Sequence, residues 1–168
     1  RAAVGDTGRQ AEILDVVHRE VESLVVEVRG IIDDLGPGDV DLLAALRSRA
    51  AVVTASGGVA VEVVHAGDIA AIPGHVAVVG YRIAAEALTN AVRHAAASTV
   101  TMSVVAEPAR LTLEVADDGC GTVAARPGGV GLTSMRERAE SVGGTLTVSG
   151  SSGQGSRVRA VLPVDGAL

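Results

Sequence analysis

Residues 99–107 read Thr99-Val-Thr-Met-Ser-Val-Val-Ala-Glu107, a break follows at Pro108-Ala109, and residues 110–116 read Arg110-Leu-Thr-Leu-Glu-Val-Ala116. In both runs aliphatic residues alternate with polar ones, the period-2 signature of strands that bury one face. A two-residue break between such runs predicts an antiparallel hairpin. The same reading predicts a second hairpin, Thr145 to Ser149 and Ser156 to Leu162, across a glycine-rich loop at 150–155. Strands paired as neighbours, with helical stretches between the hairpins, predict an α+β two-layer sandwich. Its sheet is mixed and mostly antiparallel with helices on one face, not a doubly wound parallel sheet.

Working outward, Ile72-Pro73-Gly74 opens a long helical pattern that runs to about Ala96, with Val79, Ile83, Leu88, Val92 and Ala95 as its apolar stripe. The opposite stripe holds Arg82, Glu86, Asn90 and Arg93. A strand is predicted from Val59 to His65, and a short helix before it, capped by Asp39 or Asp41, runs through Ala51 and ends at Ser56-Gly57-Gly58. Another helix is predicted from Leu132 to Val142, closed by Gly143-Gly144. At the amino-terminal end Leu14, Val17, Val21, Leu24, Val28, Ile31 and Leu35 alternate steps of three and four, a heptad seam that Gly36-Pro37-Gly38 interrupts. The expected organisation is therefore a helical segment at 1–36 followed by one domain at 37–168.

Composition narrows the chemistry. The 168 residues are 48% hydrophobic, yet there is one Tyr and no Phe or Trp, so the core must be aliphatic. A net charge of −6 opposes nucleic-acid binding by counterion release, and the missing aromatics remove base-stacking platforms. All 14 basic residues are Arg, which closes every mechanism that needs a lysine on phosphate. The single Cys120 permits no intramolecular disulfide and no cysteine-based zinc cluster, which suits a reducing compartment, and a cytoplasmic location is expected. No apolar run approaches the length of a membrane span, so this segment is expected to make no membrane contact. Opening at Arg1 without Met or a signal-like stretch, the chain is expected to be part of a larger protein.

Four groups of residues carry chemistry. Glu86, Asn90 and Arg93, with His94 beside them, put a carboxylate, a neutral amide and a guanidinium on one helical face. An amide oxygen can ligate Mg²⁺, which takes few protein ligands when phosphate is present, and a carboxylate one turn away can accept a proton or orient water. The competing reading is a solvated helix face. Asp117-Asp118-Gly119-Cys120-Gly121 stands where an aliphatic strand stops: an acceptor for an amine beside glycines that admit a flat ring, or a tight strand-exit turn. Gly128-Gly129-Val130-Gly131 before Leu132 offers backbone N–H groups and a helix start to an anion, or is a flexible connector. Gly153-Gln154-Gly155-Ser156 is either part of a site or a hairpin loop.

The order and spacing of the four groups are more specific than any one of them. Glu86 to Ala95 is similar to the asparagine box of the catalytic ATPase domain of sensor histidine kinases, within the superfamily shared with gyrase, heat-shock chaperone and mismatch-repair ATPases. Asp117 to Gly121 resembles its Asp-x-Gly-x-Gly box. Gly129 to Leu132, with Met135-Arg136-Glu137-Arg138-Ala139, resembles the second glycine box, and Gly153 to Ser156 with Leu162-Pro163 the last. Arg93-His94-Ala95 and the 135–138 run resemble the nitrate-sensor-type subfamily.

This resemblance implies Mg²⁺ and ATP as cofactors. Asn90 would bind Mg²⁺, Glu86 would act as base or water-orienting group, and Arg93 or His94 would face the phosphates. Asp117 would receive the adenine amine, with Gly119 and Gly121 beside the ring and Ser156 supporting Asp117 through a water. Gly129, Gly131 and Leu132 would frame a short lid at about 122–128. Oxidation of Cys120 in the adenine loop would block ATP if the thiol is exposed.

The helix ending near Leu35 resembles the second helix of the family's dimerisation and phosphotransfer hairpin. The accepting histidine then lies on a first helix upstream, and His18, followed by Arg19, departs from the acceptor pattern. The implied activity is transfer of the ATP γ-phosphate to that histidine, and the implied partners are the protein's own phosphoacceptor domain, a second copy in a homodimer and a response regulator. The alternatives are a serine kinase of the same fold that antagonises a sigma factor, against which the preceding heptad helix argues, and a non-catalytic nucleotide-binding or dimerisation module.

Overall fold

The computed structural model describes residues 41–56, 58–121 and 130–164. The predicted heptad helix at 1–36, the lid at 122–128 and Gly129 lie outside the described residues. In chain order the elements are α1 (Leu42–Ala55), β1 (Ala60–Ala66), a 3-10 turn (Ile69–Ala71), α2 (Gly74–His94), β2 (Thr99–Glu107), β3 (Arg110–Asp117), α3 (Val130–Glu140), β4 (Thr145–Gly150) and β5 (Ser156–Pro163).

The sheet order is β1-β2-β3-β5-β4. β1 runs parallel to β2 and every other pair is antiparallel. A parallel pair needs a crossover, and α2 supplies it. Register makes one face of the sheet continuous. A single row crosses all five strands as Val63, Met102, Val115, Val158 and Val148, and the next runs Val104, Leu113, Ala160 and Leu146. The other face carries Thr101, Ser103, Thr112, Glu114, Arg157 and Arg159, with Arg157 Nε 3.3 Å from Glu114 Oε1. One aliphatic face and one polar face define a two-layer arrangement, as the strand alternation predicts.

Asp41 caps α1, its Oδ1 accepting the Ala44 N–H at 2.9 Å. α2 starts after Pro73 and ends with Arg93 and His94 in its last turn, where the Arg93 cation meets the negative end of the helix dipole. Ala96, at φ +50°, turns the chain toward β2. The buried face of α2 is Val76, Ala77, Gly80, Ile83, Ala84, Ala87, Leu88 and Ala91. The predicted stripe is corrected here: Ile83, Leu88 and Ala95 are buried, but Val92 is 39% exposed. Four alanines and Gly80, which weigh little in a periodicity count, make up five of these eight buried positions. They let the helix sit close to the sheet. A Cβ at Gly80 would lie 2.5 Å from Leu113 Cδ1 and 3.3 Å from Leu111 Cδ2. Close approach by small residues is how this core reaches packing density without aromatics, its one tyrosine, Tyr81, being half-buried at the margin.

α3 begins two residues earlier than predicted and ends at Glu140. Its exit is fixed by Gly143, at φ +72°, and by the Gly144 N–H donating to Ala139 O at 2.8 Å. Across the first hairpin Arg110 donates to both carboxylate oxygens of Glu107, at 2.5 and 3.0 Å.

Candidate functional site

Asp117 is the last residue of β3, and its carboxylate is held at the strand end. Oδ1 accepts the Gly119 N–H at 3.0 Å and the Ser156 N–H at 3.3 Å, while Oδ2 accepts the Ser156 hydroxyl in a short hydrogen bond. The expected water between Ser156 and Asp117 is corrected to direct contact from both the backbone and the side chain of Ser156. A carboxylate offers about four acceptor sites, so these three donors leave one on Oδ2 for an outside donor.

The glycines around Asp117 are required by close approach. A Cβ on Gly119 would lie 2.7 Å from Ala95 Cβ, so the loop packs against the end of α2. Gly121 and Gly155 sit at φ +65° and +73°, and a Cβ on either would collide with backbone carbonyls, of Ser151 and Asp117 respectively. Three backbone hydrogen bonds tie the segments together: Cys120 N–H to Ala95 O at 2.7 Å, Gly153 N–H to Cys120 O at 2.8 Å and Gly155 N–H to Gly119 O at 3.0 Å. The 150–155 loop is thus a wall of the site as well as a hairpin connection. Cys120 is exposed, its thiol 3.7 Å from the His94 carbonyl.

Glu86 and Asn90 lie on α2 away from the sheet, both half-buried. The start of α3 comes to them: a Cβ on Gly131 would overlap Glu86 Oε1 and lie 3.5 Å from Asn90 Nδ2. Neither polar side chain is engaged in a hydrogen bond with another described residue. Among the described residues no group of three or more His, Cys, Asp or Glu side chains could hold a metal alone. A cation at Asn90 would therefore draw its remaining ligands from phosphate oxygens and water, which suits Mg²⁺. Asn90 precedes Ala95, where the Asp117 loop is seated, by five residues, or roughly 7.5 Å of helix rise. That interval separates the Asp117 carboxylate from the Asn90 amide.

Of the other expected site residues, Arg93 and His94 are exposed in the last turn of α2, and Leu132 is half-buried against the core. Two residues absent from the predicted site belong beside it. Arg82, one turn before Glu86, is half-buried with Nε lacking a hydrogen-bond partner among the described residues. Asp118 accepts three hydrogen bonds from Ser98 and Thr99.

A family model described as histidine kinase-, DNA gyrase B- and HSP90-like ATPase matches residues 77–166, which contain both ends of this arrangement. The chain belongs to that family. Among curated proteins it is 36% identical over 140 residues to the sensor histidine kinase YxjM of Bacillus subtilis, covering 82% of this chain and 34% of that one. It is 44% identical over 80 residues to the nitrate/nitrite sensor protein NarQ of Escherichia coli, covering 46% of this chain and 14% of that one. The chain thus spans about a third or less of these relatives' length. A blue-light-activated histidine kinase from Erythrobacter litoralis EL346 shares the fold at a TM-score of 0.71 and 24% identity, over 91% of this chain and 50% of that one. No described helix is long and apolar enough to cross a membrane.

Proposed function

We propose that this chain is the ATP-binding catalytic module of a two-component sensor histidine kinase, and that it binds Mg·ATP between Asp117 and Asn90. The observation that carries the reading is the pair of uncommitted ends. Asp117 Oδ2 keeps one acceptor site, and neither Asn90 nor Glu86, where α3 begins, hydrogen-bonds through its side chain to another described residue. In this reading the adenine exocyclic amine donates to Asp117 Oδ2, which a guanine carbonyl at the same position could not do. The N-terminus of α3 supplies N–H groups to the phosphates. Asn90 holds Mg²⁺, which when bound neutralises phosphate charge and orients the terminal phosphoryl group. Glu86 accepts a proton or fixes the attacking group, and Arg93 or His94 faces the phosphates. Gly129, Gly131 and Leu132 frame the lid.

The γ-phosphoryl group goes to a histidine on a phosphoacceptor helix upstream, paired with residues 1–36 in a homodimer, and from there to a response regulator. A cytoplasmic location follows from that chemistry. The similarity to YxjM and NarQ, both named as sensors, supports this choice among activities of the same fold.

Calorimetry on this chain tests the reading: Mg·ATP should bind, and Asn90→Ala and Asp117→Asn should each abolish or severely weaken it. Undiminished binding in both variants would overturn the assignment. A transferred phosphate that is labile in acid identifies a histidine acceptor; an acid-stable product would favour serine.

A further inference from the structure

Asp118, the residue after Asp117, points its carboxylate away from the acceptor end. Oδ1 accepts the Ser98 N–H at 2.7 Å and the Thr99 N–H at 2.9 Å, and Oδ2 accepts the Thr99 hydroxyl at 2.6 Å. Its own N–H donates to Thr99 O at 3.3 Å. Ser98 and Thr99 form the junction by which the chain leaves α2, past buried Ala95 and Ala97 and the left-handed Ala96, to enter β2. Asp118 therefore spans from the loop that carries Asp117 to the root of the helix that carries Glu86 and Asn90. Charge-assisted bonds to two adjacent N–H groups and a hydroxyl define a direction as well as a distance.

We propose that Asp118 is a positioning residue for the nucleotide: by clasping Ser98 and Thr99 it fixes the separation and orientation of the adenine-accepting end relative to the phosphate end. This rests on the reading of Asp117 and Asn90 given above. A ligand that touches both ends benefits from a preset span, because the two halves of the site need not be ordered on binding. A ligand that touches only the loop gains little. The two ligand classes separate this role from a general loss of stability.

Mg·ATP and adenosine are titrated calorimetrically into the wild-type chain and into Asp118→Ala, Asp118→Asn and Thr99→Val, well below each melting temperature. Asp118→Ala should weaken ATP by about tenfold or more and adenosine by less than about threefold. Asp118→Asn should stay within about threefold of wild type for both ligands: its amide oxygen can still accept both N–H groups, and its NH₂ can donate to the Thr99 oxygen. Thr99→Val, which removes one of the three bonds, should fall between.

Equal weakening of ATP and adenosine in Asp118→Ala, or ATP affinity unchanged while the melting temperature drops, overturns the proposal. So does failure of Asp118→Asn to restore binding. If Asp118→Ala does not fold, Thr99→Val and Asp118→Asn decide it by the same ratio of affinities. Absence of Mg·ATP binding by the wild-type chain would strike down the nucleotide reading itself.

Discussion

Gly131→Ala should separate the stability of the fold from the competence of the site. Gly131 is the second residue of α3, where alanine is preferred over glycine by up to about 1 kcal/mol. The added methyl meets no backbone among its nearest neighbours; they are the carboxylate of Glu86, whose Cδ would be 3.4 Å away, and Asn90 Nδ2 at 3.5 Å. Glu86 ends a flexible side chain, so the overlap with Oε1 is relieved by a retreat of about 1 Å to ordinary contact distance. The melting temperature should therefore shift by no more than about 3 °C, in either direction. The site should respond far more, because a displacement of about 1 Å in a catalytic group costs on the order of 10²-fold in rate.

The assay pairs a thermal melt of this chain with γ-phosphate transfer from Mg·ATP to a supplied histidine-bearing phosphoacceptor domain, the activity proposed above. A double variant, Gly131→Ala with Glu86→Ala, should transfer no more slowly than Glu86→Ala alone, since the collision partner is gone. A fall in melting temperature of about 10 °C or more would refute the steric reasoning. Wild-type transfer by Gly131→Ala would refute the role given to Glu86.

Gly155→Ala should behave oppositely. Its φ of +73° costs an alanine about 1–2 kcal/mol, and its methyl would collide with the Asp117 carbonyl, whose displacement adds about 1–3 kcal/mol; urea unfolding at constant m-value measures the sum. Leu88→Ala, at a fully buried position facing the sheet, should lose about 2–5 kcal/mol in the same experiment. The Thr99 hydroxyl, followed by the Thr99 and Ser98 N–H groups, holds the Asp118 carboxyl below its ordinary value. A depressed folded-state value means that Asp118 stabilises the fold above the unfolded carboxylate range, near pH 4, and that this contribution is lost as pH falls through the folded value. Melting curves from pH 7 to pH 2.5 should show that loss in the wild type and a smaller one in Asp118→Asn.

Much of the architecture was legible because it is periodic. The alternation at 99–107 and 110–116 gave the hairpin with its true partners, Glu107 opposite Arg110, and the glycine-bracketed motifs gave the loops. The parallel β1–β2 pairing and the placement of β5 between β3 and β4 are long-range events that leave no periodic trace in either strand. Val92 falls off the buried face because a stripe through the largest side chains ignores the alanines that are buried there. Asp117 and Ser156 were legible as a pair, but not their direct contact, which depends on how tightly Gly155 folds the loop. Asp118 leaves no signal in the sequence, because a second aspartate in a turn reads as turn chemistry; its partners lie 19 and 20 residues earlier, and only the strand register brings them within reach.

The position of β5 bears on the order in which the site can come into being. It pairs with β3 on one side and β4 on the other, so the last described strand to emerge during synthesis is an interior strand. Until it inserts, β3 is an edge with unpaired backbone groups. The Asp117 carboxylate also lacks the two Ser156 donors, and the Gly119 and Cys120 carbonyls lack theirs. On the proposed reading, nucleotide capture then follows completion of the sheet, and a nascent chain stopped before Ser156 has α2 with Asn90 and Glu86 but an Asp117 without its Ser156 donors.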